Sequence, residues 1–219
     1  MSGSLRISVL FDFICPWCLI GKRNLSQALQ LFAIEQPQTN VELDWVGVQL
    51  LPDLPASGVP FAEFYLHRLG SAEAVRQRQA QVQSAAASAG VDIDLQRIPR
   101  MSNTADAHRL LTHASALGNA SQQDQLLEML FAAYFINGQD IGDSATLLNI
   151  AEACGYPRAL LLNALRGDGS PFKGSAMASG GVPAFVFNQR LMLSGAQPAQ
   201  VLLDGMLRAV EQTSEVSPV

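Results

Sequence analysis

Segments with strand-like sequence occur only towards the two ends of this chain, and a long helical stretch separates them. Leu5–Asp12 combines β-branched and apolar residues without a breaker, and Val41–Val48 alternates apolar with acidic side chains. Pro183–Phe187 and Leu191–Ser194 are short apolar runs that flank a hairpin signal, Asn188-Gln189-Arg190. Since neither pair can bury a sheet face alone, the sequence predicts that both ends join one four-stranded sheet.

Apolar residues at helical spacing predict one helix beside each half of this sheet. Leu19–Ile34 has this spacing and is followed by Pro37, which cannot continue a helix. A second helix is predicted to begin at Pro198 and to run to about Gln212. The order of elements is therefore βαβ at the start of the chain and ββα at its end.

The stretch between the two ends predicts helices alone. One of them, Gln122–Ile136, follows Ser121-x-x-Asp124, which resembles a capping box with Asp in place of Glu or Gln. Because these helices interrupt the sheet, we predict an α/β fold with an inserted all-helical domain. The predicted segments are 1–50 for the first part of the sheet, 51–179 for the insertion and 180–219 for the second part.

Composition and charge exclude several classes of function. The 219 residues are 48% hydrophobic and 15% charged, which is typical of a globular chain and not of a disordered one. The formal net charge is −5 and there is no basic stripe. Nucleic acid and membranes are therefore not expected as partners, and the sequence predicts no particular oligomeric state.

The first residues lack the features of a secretory signal. Such a signal has a basic start, a longer apolar run and a small-residue cleavage site, whereas the first apolar stretch here is broken at Asp12. No later run is long enough to span a bilayer. We therefore expect a cytoplasmic protein.

Two of the three cysteines, Cys15 and Cys18, form a CxxC pair. In a reducing compartment this spacing indicates either redox chemistry or a metal site. Zinc usually needs four ligands, and the chain has no second CxxC and no histidine pair at ligand spacing, so we predict no metal. The alternative of two buried cysteines spaced by chance is disfavoured by the strand before them and the helix after them.

A CxxC at the start of a helix has a specific chemical use. The thiolate is the attacking species in disulfide exchange, and the N–H groups and dipole of a helix start favour negative charge. Cys15 is the predicted nucleophile, and Cys18, one turn inward, is its predicted resolving partner. Pro16 and Trp17 between them are predicted to face the substrate and to influence the reduction potential.

A proline stands directly before the third predicted strand, in Gly181-Val182-Pro183. Proline is tolerated in a strand only at its first position, at an edge or at a bulge. An ordinary turn proline is one explanation of this pattern. After a CxxC in this order of elements, Val182 and Pro183 are predicted instead to form the second half of the site and to contact the substrate.

Several motifs together resemble the DsbA-like oxidoreductases of the FrnE type, which are related to 2-hydroxychromene-2-carboxylate isomerase and kappa-class glutathione transferase. The first motif runs from Phe11 to Lys22 and contains Cys-Pro-Trp-Cys. The others, in chain order, are Asn103-Thr104 with Ala107-His108-Arg109-Leu110, Tyr134-Phe135 with Asp140-Ile141, Gly181-Val182-Pro183, and Ser194-Gly195-Ala196-Gln197. The resemblance covers nearly the whole chain and implies a thioredoxin-like fold, with a four-stranded mixed sheet and an inserted helical domain.

The resemblance also implies roles for the site residues. Cys15 would be the nucleophile, Cys18 its partner, and Val182-Pro183 a cis-proline pair beside the redox centre. The implied substrates are proteins or small molecules that carry thiols or disulfides. No tightly bound cofactor is implied, and glutathione is a candidate co-substrate.

The chain differs from the isomerases and kappa-class transferases that it resembles at two points. The isomerases and kappa transferases usually have Ser where this chain has Cys15 and lack the second cysteine, which favours dithiol chemistry here. The loop Ser194–Gln197 lacks the acidic residue with which kappa transferases hold glutathione. A glutathione-dependent isomerase or transferase acting on a small aromatic substrate is therefore the second hypothesis, and a non-catalytic chaperone using the apolar surface around Trp17 is the third.

Two further residues have alternative interpretations. His108 lies on a predicted helix, where it could face the site or be a structural histidine, and it is not assigned as a base. Cys154 ends another predicted helix and is interpreted as a buried, inert cysteine.

Overall fold

Strands at both ends of the chain and helices between them make up the computed structural model, which describes residues 3–174 and 181–215. Its strands and α-helices are, in chain order, β1 (Ser4–Phe11), α1 (Pro16–Glu35), β2 (Asn40–Gly47), β3 (Val59–Pro60), α2 (Phe61–Leu69), α3 (Ala72–Ser88), β4 (Arg100–Met101), α4 (Ala105–Ser115), α5 (Ala120–Phe135), α6 (Ser144–Ala153), α7 (Arg158–Leu161), β5 (Ala184–Phe187), β6 (Leu191–Ser194) and α8 (Ala199–Glu215).

The chain divides into two compact units. The first comprises the described residues within 1–11, 17–48 and 175–219, and the second comprises 12–16 and 49–174. The segment boundaries predicted after residues 50 and 179 stay a prediction, and the second of them lies outside the described residues.

The first unit is built on a four-stranded sheet with the strand order β2-β1-β5-β6. β1 lies parallel to β2, with Ser4 opposite Asn40, and antiparallel to β5, with Val9 opposite Phe185. β5 and β6 form an antiparallel hairpin. The mixed four-stranded sheet predicted for this chain is therefore confirmed.

One face of β1 is apolar along its whole length. It forms a core with β5, α1 and α8, whose buried residues are Leu5, Ile7, Val9, Leu25, Ala28, Phe32, Phe185, Phe187, Leu202, Leu203, Met206 and Ala209. On the other face, Leu10 packs with Ala184 and Val186, whereas Ser4 and Arg6 are exposed. All four residues of β5 are buried, and β1 and β5 are the two inner strands of the sheet.

α1 approaches β5 closely at Gly21. A Cβ atom at this position would lie 3.1 Å from both the Cγ atom of Pro183 and the Cζ atom of Phe185. Such a contact is tighter than ordinary van der Waals packing, so glycine allows the helix and the strand to approach each other here. The residue that begins this approach on the strand side is Pro183.

The second unit is mainly helical and contains one element that the sequence did not predict. β3 and β4 form a two-stranded antiparallel ladder in which Val59 lies opposite Met101 and Pro60 opposite Arg100. Each strand has only two residues. A run this short carries no periodicity, so a pattern in the sequence could not reveal it.

The predicted start of α5 is wrong. The helix begins at Ala120, and its N-cap is Asn119, whose side chain accepts a hydrogen bond from the Gln122 backbone N–H. The Gln122 side chain in turn accepts from the backbone N–H of Asn119, which completes a capping box. Ser121 therefore lies inside the helix, because asparagine followed three residues later by glutamine forms the stronger cap.

Replacing the cap of α5 tests this assignment. We expect Asn119→Ala to lower the free energy of unfolding by about 1 kcal/mol, because the Gln122 N–H at the helix start loses its acceptor. Ser121→Ala is the matched control and is expected to change stability by less than about 0.5 kcal/mol, as is usual for exposed sites. Urea denaturation monitored by circular dichroism measures both values, and the reverse ranking would contradict the assignment.

A larger side chain at Gly21 tests the close packing of α1 against β5. We expect Gly21→Val to lower the free energy of unfolding by roughly 1–3 kcal/mol, because the added atoms have no space beside Pro183 and Phe185. Gly3→Val is the control, since a Cβ at Gly3 meets no atom closer than 3.5 Å. Equal urea midpoints for the two variants would show that the contact is not tight.

Candidate functional site

The Cys-Pro-Trp-Cys motif lies where β1 ends and α1 begins. Asp12 to Cys15 form a turn that is closed by a hydrogen bond from the Cys15 N–H to the Asp12 carbonyl oxygen, at 3.2 Å. α1 begins at the next residue, Pro16. Proline suits this first helical position because its missing N–H would have no partner within the helix. Cys15 therefore directly precedes α1, and Cys18 lies in its first turn.

The two cysteines of the motif differ in exposure. Both carry buried thiols, but the exposed fraction is 8% for Cys15 and 2% for Cys18. Pro16 and Trp17 between them are partly exposed. Cys15 is thus the more accessible of the two cysteines.

The start of α1 favours a negative charge. The first N–H groups of a helix have no partner within it, and its dipole places partial positive charge at this end. The first turn of α1 contains no acidic side chain. A thiolate on Cys15 would therefore be stabilised by the helix without competition from a carboxylate on the same helical turn.

A buried acid and a buried histidine interact in the second unit, beside the turn that carries Cys15. One carboxylate oxygen of Asp12, Oδ1, lies 3.1 Å from Nε2 of His108, and both side chains have no exposed surface. The other oxygen, Oδ2, accepts a hydrogen bond from the Leu50 N–H at 2.7 Å. Both oxygens of the carboxylate thus have partners, as a buried carboxylate requires.

The imidazole of His108 is held between two aromatic rings. Its centroid lies 5.0 Å from that of Phe13 and 5.1 Å from that of Phe172, and the Phe172 ring is nearly parallel to it. The Phe172 N–H donates to Gln49 Oε1 at 2.7 Å, and Gln49 Nε2 donates to Asn103 Oδ1 at 3.0 Å. This packing and hydrogen bonding fix the histidine ring against Asp12.

Tyr65, which is partly buried, and Tyr134, which is fully buried, add further polar groups around this turn. Burial raises the pKa of Tyr65, and negative charge on Cys15 raises it further, while Arg68 and Arg78 oppose these effects. Burial also raises the pKa of Tyr134 well above its usual range, with additional contributions from Tyr65 and Asp12. Both hydroxyls are therefore neutral hydrogen-bond donors at physiological pH.

Pro183 lies beside the helix that carries Cys18. The Val182–Pro183 peptide bond is cis. Pro183 contacts α1 at Gly21, three residues after Cys18 and hence on the same side of the helix. Its carbonyl oxygen accepts a hydrogen bond from the Gly195 N–H at 2.8 Å.

The loop after β6 is tied to the same part of the first unit. Asn24 Nδ2 on α1 donates to the Gln197 carbonyl oxygen at 2.9 Å. The Gln197 side chain donates to the Ser194 carbonyl oxygen at 2.6 Å. Together with the Gly195–Pro183 bond, these contacts hold the Ser194–Gln197 loop against β5 and α1.

Several polar groups around the motif were not found from the sequence. Asp12 was recognised only as a break in an apolar stretch, yet an acid between Phe11 and Phe13 just before a CxxC was a signal that it is buried there. Tyr65 gave no such signal, because its proximity to Cys15 depends on the fold of the second unit. His108, for which two interpretations were open, is buried and bound to Asp12. The site roles assigned to Cys15, Pro16, Trp17, Cys18, Val182 and Pro183 stay predictions.

The third cysteine lies apart from the motif in the sequence and has a different environment. Burial raises the pKa of Cys154, and its sulfur lies 3.3 Å from the Met129 sulfur. A thiol with a raised pKa is a poor nucleophile at neutral pH.

Among the described residues, no group of three or more His, Cys, Asp and Glu side chains is arranged to hold a metal ion. No helix in the described ranges is long and apolar enough to cross a membrane.

Solved structures with a similar fold include oxidoreductases and an isomerase. A structure named as a probable DsbA oxidoreductase from Streptomyces coelicolor is similar with a TM-score of 0.82 and 24% identity, over 98% of this chain and 92% of that one. A 2-hydroxychromene-2-carboxylate isomerase is similar with a TM-score of 0.60 and 16% identity, over 97% and 100%. The cytosolic disulfide reductase DsbM from Pseudomonas aeruginosa, in a structure with glutathione, is similar with a TM-score of 0.52 and 20% identity, over 93% and 99%. At these identities the likeness shows the fold alone.

Sequence comparison shows the family. No curated protein sequence matches the chain. The family model of the DSBA-like thioredoxin domain matches residues 6–206, which include the whole four-stranded sheet from Arg6 onward and the Cys-Pro-Trp-Cys motif. This match confirms the thioredoxin-like fold, and the chain belongs to the DSBA-like thioredoxin domain family.

Proposed function

We propose that this chain is a thiol–disulfide oxidoreductase in which Cys15 attacks and Cys18 resolves. The observation that carries the proposal is the position of Cys15 directly before the first residue of α1. This is the place where a helix most stabilises a thiolate, and thiolates are the nucleophiles of disulfide exchange.

The proposed reaction has two exchange steps. The Cys15 thiolate attacks a substrate disulfide, so that a mixed disulfide forms and one substrate thiolate leaves. Cys18 then loses its proton and attacks the Cys15 sulfur, which forms the Cys15–Cys18 disulfide and releases the second substrate thiolate. The substrate disulfide gains two electrons and the cysteine pair loses two, and the same steps in reverse oxidise a dithiol.

The difference in exposure supports this order of events. Cys15 is more exposed than Cys18, and it is the sulfur that an incoming disulfide would meet first. The partly exposed side chains of Pro16 and Trp17 would then contact the substrate around the reacting sulfur. Cys154 is not assigned a role in the exchange, because burial raises its pKa.

Val182 and Pro183 are the proposed substrate-binding residues contributed by the second half of the fold. Val182 is partly exposed, while Pro183 is buried against Gly21 of α1. The Gly195 hydrogen bond to the Pro183 carbonyl holds this backbone in place. An extended substrate segment would lie along Val182, in the manner of an added strand.

Glutathione is the proposed low-molecular-weight thiol partner, as a transient co-substrate. DsbM, whose structure with glutathione is similar to this chain, carries that tripeptide, but the present chain has no acid in the Ser194–Gln197 loop to retain it. The polar groups of that loop bond to Pro183, Asn24 and Ser194 instead. Cys rather than Ser at position 15 favours this dithiol role over an isomerase that only binds glutathione.

Cysteine variants test the proposed exchange. We expect Cys15→Ser to abolish reduction of insulin disulfides, because Cys15 is the more exposed thiol of the motif and the one that directly precedes α1. Cys18→Ala is expected to lower turnover strongly and to accumulate a mixed disulfide with the substrate, detected by mass spectrometry. Cys154→Ala is the control and should retain activity. Full activity of Cys15→Ser would exclude the mechanism.

Glutathione dependence is tested separately on the oxidised chain. We expect reduced glutathione to convert the Cys15–Cys18 disulfide to the dithiol, and a glutathionylated intermediate to accumulate in Cys18→Ala. Calorimetric binding of glutathione to Cys15→Ser should be weak, since the loop provides no carboxylate. Tight binding to that variant, together with isomerase activity that survives Cys18→Ala, would favour the alternative glutathione-dependent isomerase.

A further inference from the structure

The buried Asp12–His108 pair has no part in the disulfide exchange proposed above. Asp12 Oδ1 lies 3.1 Å from His108 Nε2, Asp12 Oδ2 accepts from the Leu50 N–H, and neither side chain has exposed surface. Burying two ionisable groups is costly, and a well-packed apolar pair of similar size is often at least as stable. Stability alone therefore does not explain why this pair stands here.

Asp12 is linked to Cys15 by the turn that presents the sulfur. The two residues are the first and fourth positions of the turn, and the Cys15 N–H donates to the Asp12 carbonyl oxygen at 3.2 Å. The Cα atoms of residues so related lie within about 7 Å of each other. Negative charges on the side chains of such neighbouring residues repel each other more strongly when both are shielded from water, as those of Asp12 and Cys15 are.

His108 determines where the carboxylate lies. The stacked ring of Phe172 and the tilted ring of Phe13 both contact the imidazole, whose Nε2 faces Asp12. The backbone of Phe172 is in turn fixed by Gln49. His108 is therefore a positioning residue, and it acts through Asp12.

Other ionisable groups near the turn carry charges of both signs. The charges of Asp12 and Asp140 raise the pKa of Tyr134, and that of Cys15 raises the pKa of Tyr65, both in addition to the larger effect of burial. Arg68 and Arg78 act on Tyr65 in the opposite direction. Among these groups, Asp12 is the one that lies on the same turn as Cys15.

We propose that Asp12, held by His108, makes the Cys15–Cys18 couple more reducing than the helix start alone would make it, so that the chain acts as a reductase of disulfide substrates. The proposal rests on the proposed function. The Asp12 carboxylate repels the Cys15 thiolate and so destabilises the dithiol form relative to the uncharged disulfide. Two electrons then pass from the cysteine pair to the substrate disulfide. The resulting Cys15–Cys18 disulfide is reduced again by two molecules of a low-molecular-weight thiol, which become one disulfide.

Replacing Asp12 by its neutral isostere provides the main test. Asp12→Asn keeps an oxygen for the Leu50 N–H but removes the charge. We expect the equilibrium between the Cys15–Cys18 pair and a glutathione redox buffer to shift roughly tenfold towards the dithiol. This corresponds to a reduction potential about 30 mV less negative. Alkylation of Cys15 by iodoacetamide at one mildly acidic pH should become faster, as shown by peptide mass spectrometry.

His108 variants separate the hydrogen bond from the packing of the ring. His108→Phe keeps a ring between Phe13 and Phe172 but removes the N–H that holds Asp12. We expect the reduction potential of the Cys15–Cys18 pair to become less negative in this variant too. The double variant with Asp12→Asn should have the same potential as Asp12→Asn alone, because the two residues act as a unit. His113→Phe, on the exposed side of the same helix, is the matched control and should cause no shift.

The outcomes separate this inference from the proposed function. A folded Asp12→Asn chain with an unchanged or more negative potential overturns the inference, as does a loss of stability without any change in potential or alkylation rate. If Asp12→Asn does not fold, the potential of His108→Phe decides in the same way. If the wild-type cysteines never equilibrate with glutathione, the proposed function fails and the inference fails with it.

Discussion

The pairing of β1 with strands from both ends of the chain is the constraint on which the first unit depends. β1 is parallel to β2, which follows within 40 residues, and antiparallel to β5, which arrives only at Ala184. Closing so long a loop costs only a little more entropy than closing a short one, because the cost rises with the logarithm of loop length. The sheet can therefore accommodate the intervening segment while keeping β1 between β2 and β5. The carboxyl end of this central strand is where the chain turns into α1, and the position of Cys15 follows from it.

The electrostatics at that junction combine two opposing effects. The N-terminus of α1 attracts a negative charge, and Pro16 occupies its first position without leaving an unpaired N–H. Asp12 begins the turn that ends at Cys15, and its buried carboxylate would repel such a charge. The reduction potential of a cysteine pair depends on how strongly the thiolate is stabilised relative to the disulfide. In the proposed mechanism, the start of α1 and the Asp12 carboxylate therefore act in opposite directions on the equilibrium between the Cys15–Cys18 disulfide and its dithiol.

The sequence predicted those features that repeat along the chain or that depend on neighbouring residues. The apolar run in Leu5–Asp12, the alternation in Val41–Val48 and the β5–β6 hairpin signal were sufficient to predict the sheet. The positive φ values of Asn188 and Gln189 agree with a hairpin turn at that point. The start of α5 was misplaced because two capping patterns overlap between Asn119 and Asp124, and only the hydrogen bonds distinguish them.

The partner of Asp12 could not be predicted, since it lies 96 residues away and no local rule pairs an acid at a strand end with a histidine on a distant helix. The same holds for Tyr65, whose relation to Cys15 exists only in the folded second unit. Local chemistry thus pointed to the two cysteines of the motif, while the polar groups around them depend on tertiary structure. A buried ion pair can be replaced as a whole by well-packed apolar residues without loss of stability in many proteins. In this chain aromatic rings already stand beside His108, those of Phe13 and Phe172. In the proposed mechanism, the polar pair among these rings acts on the redox equilibrium of Cys15, the residue that ends the same turn.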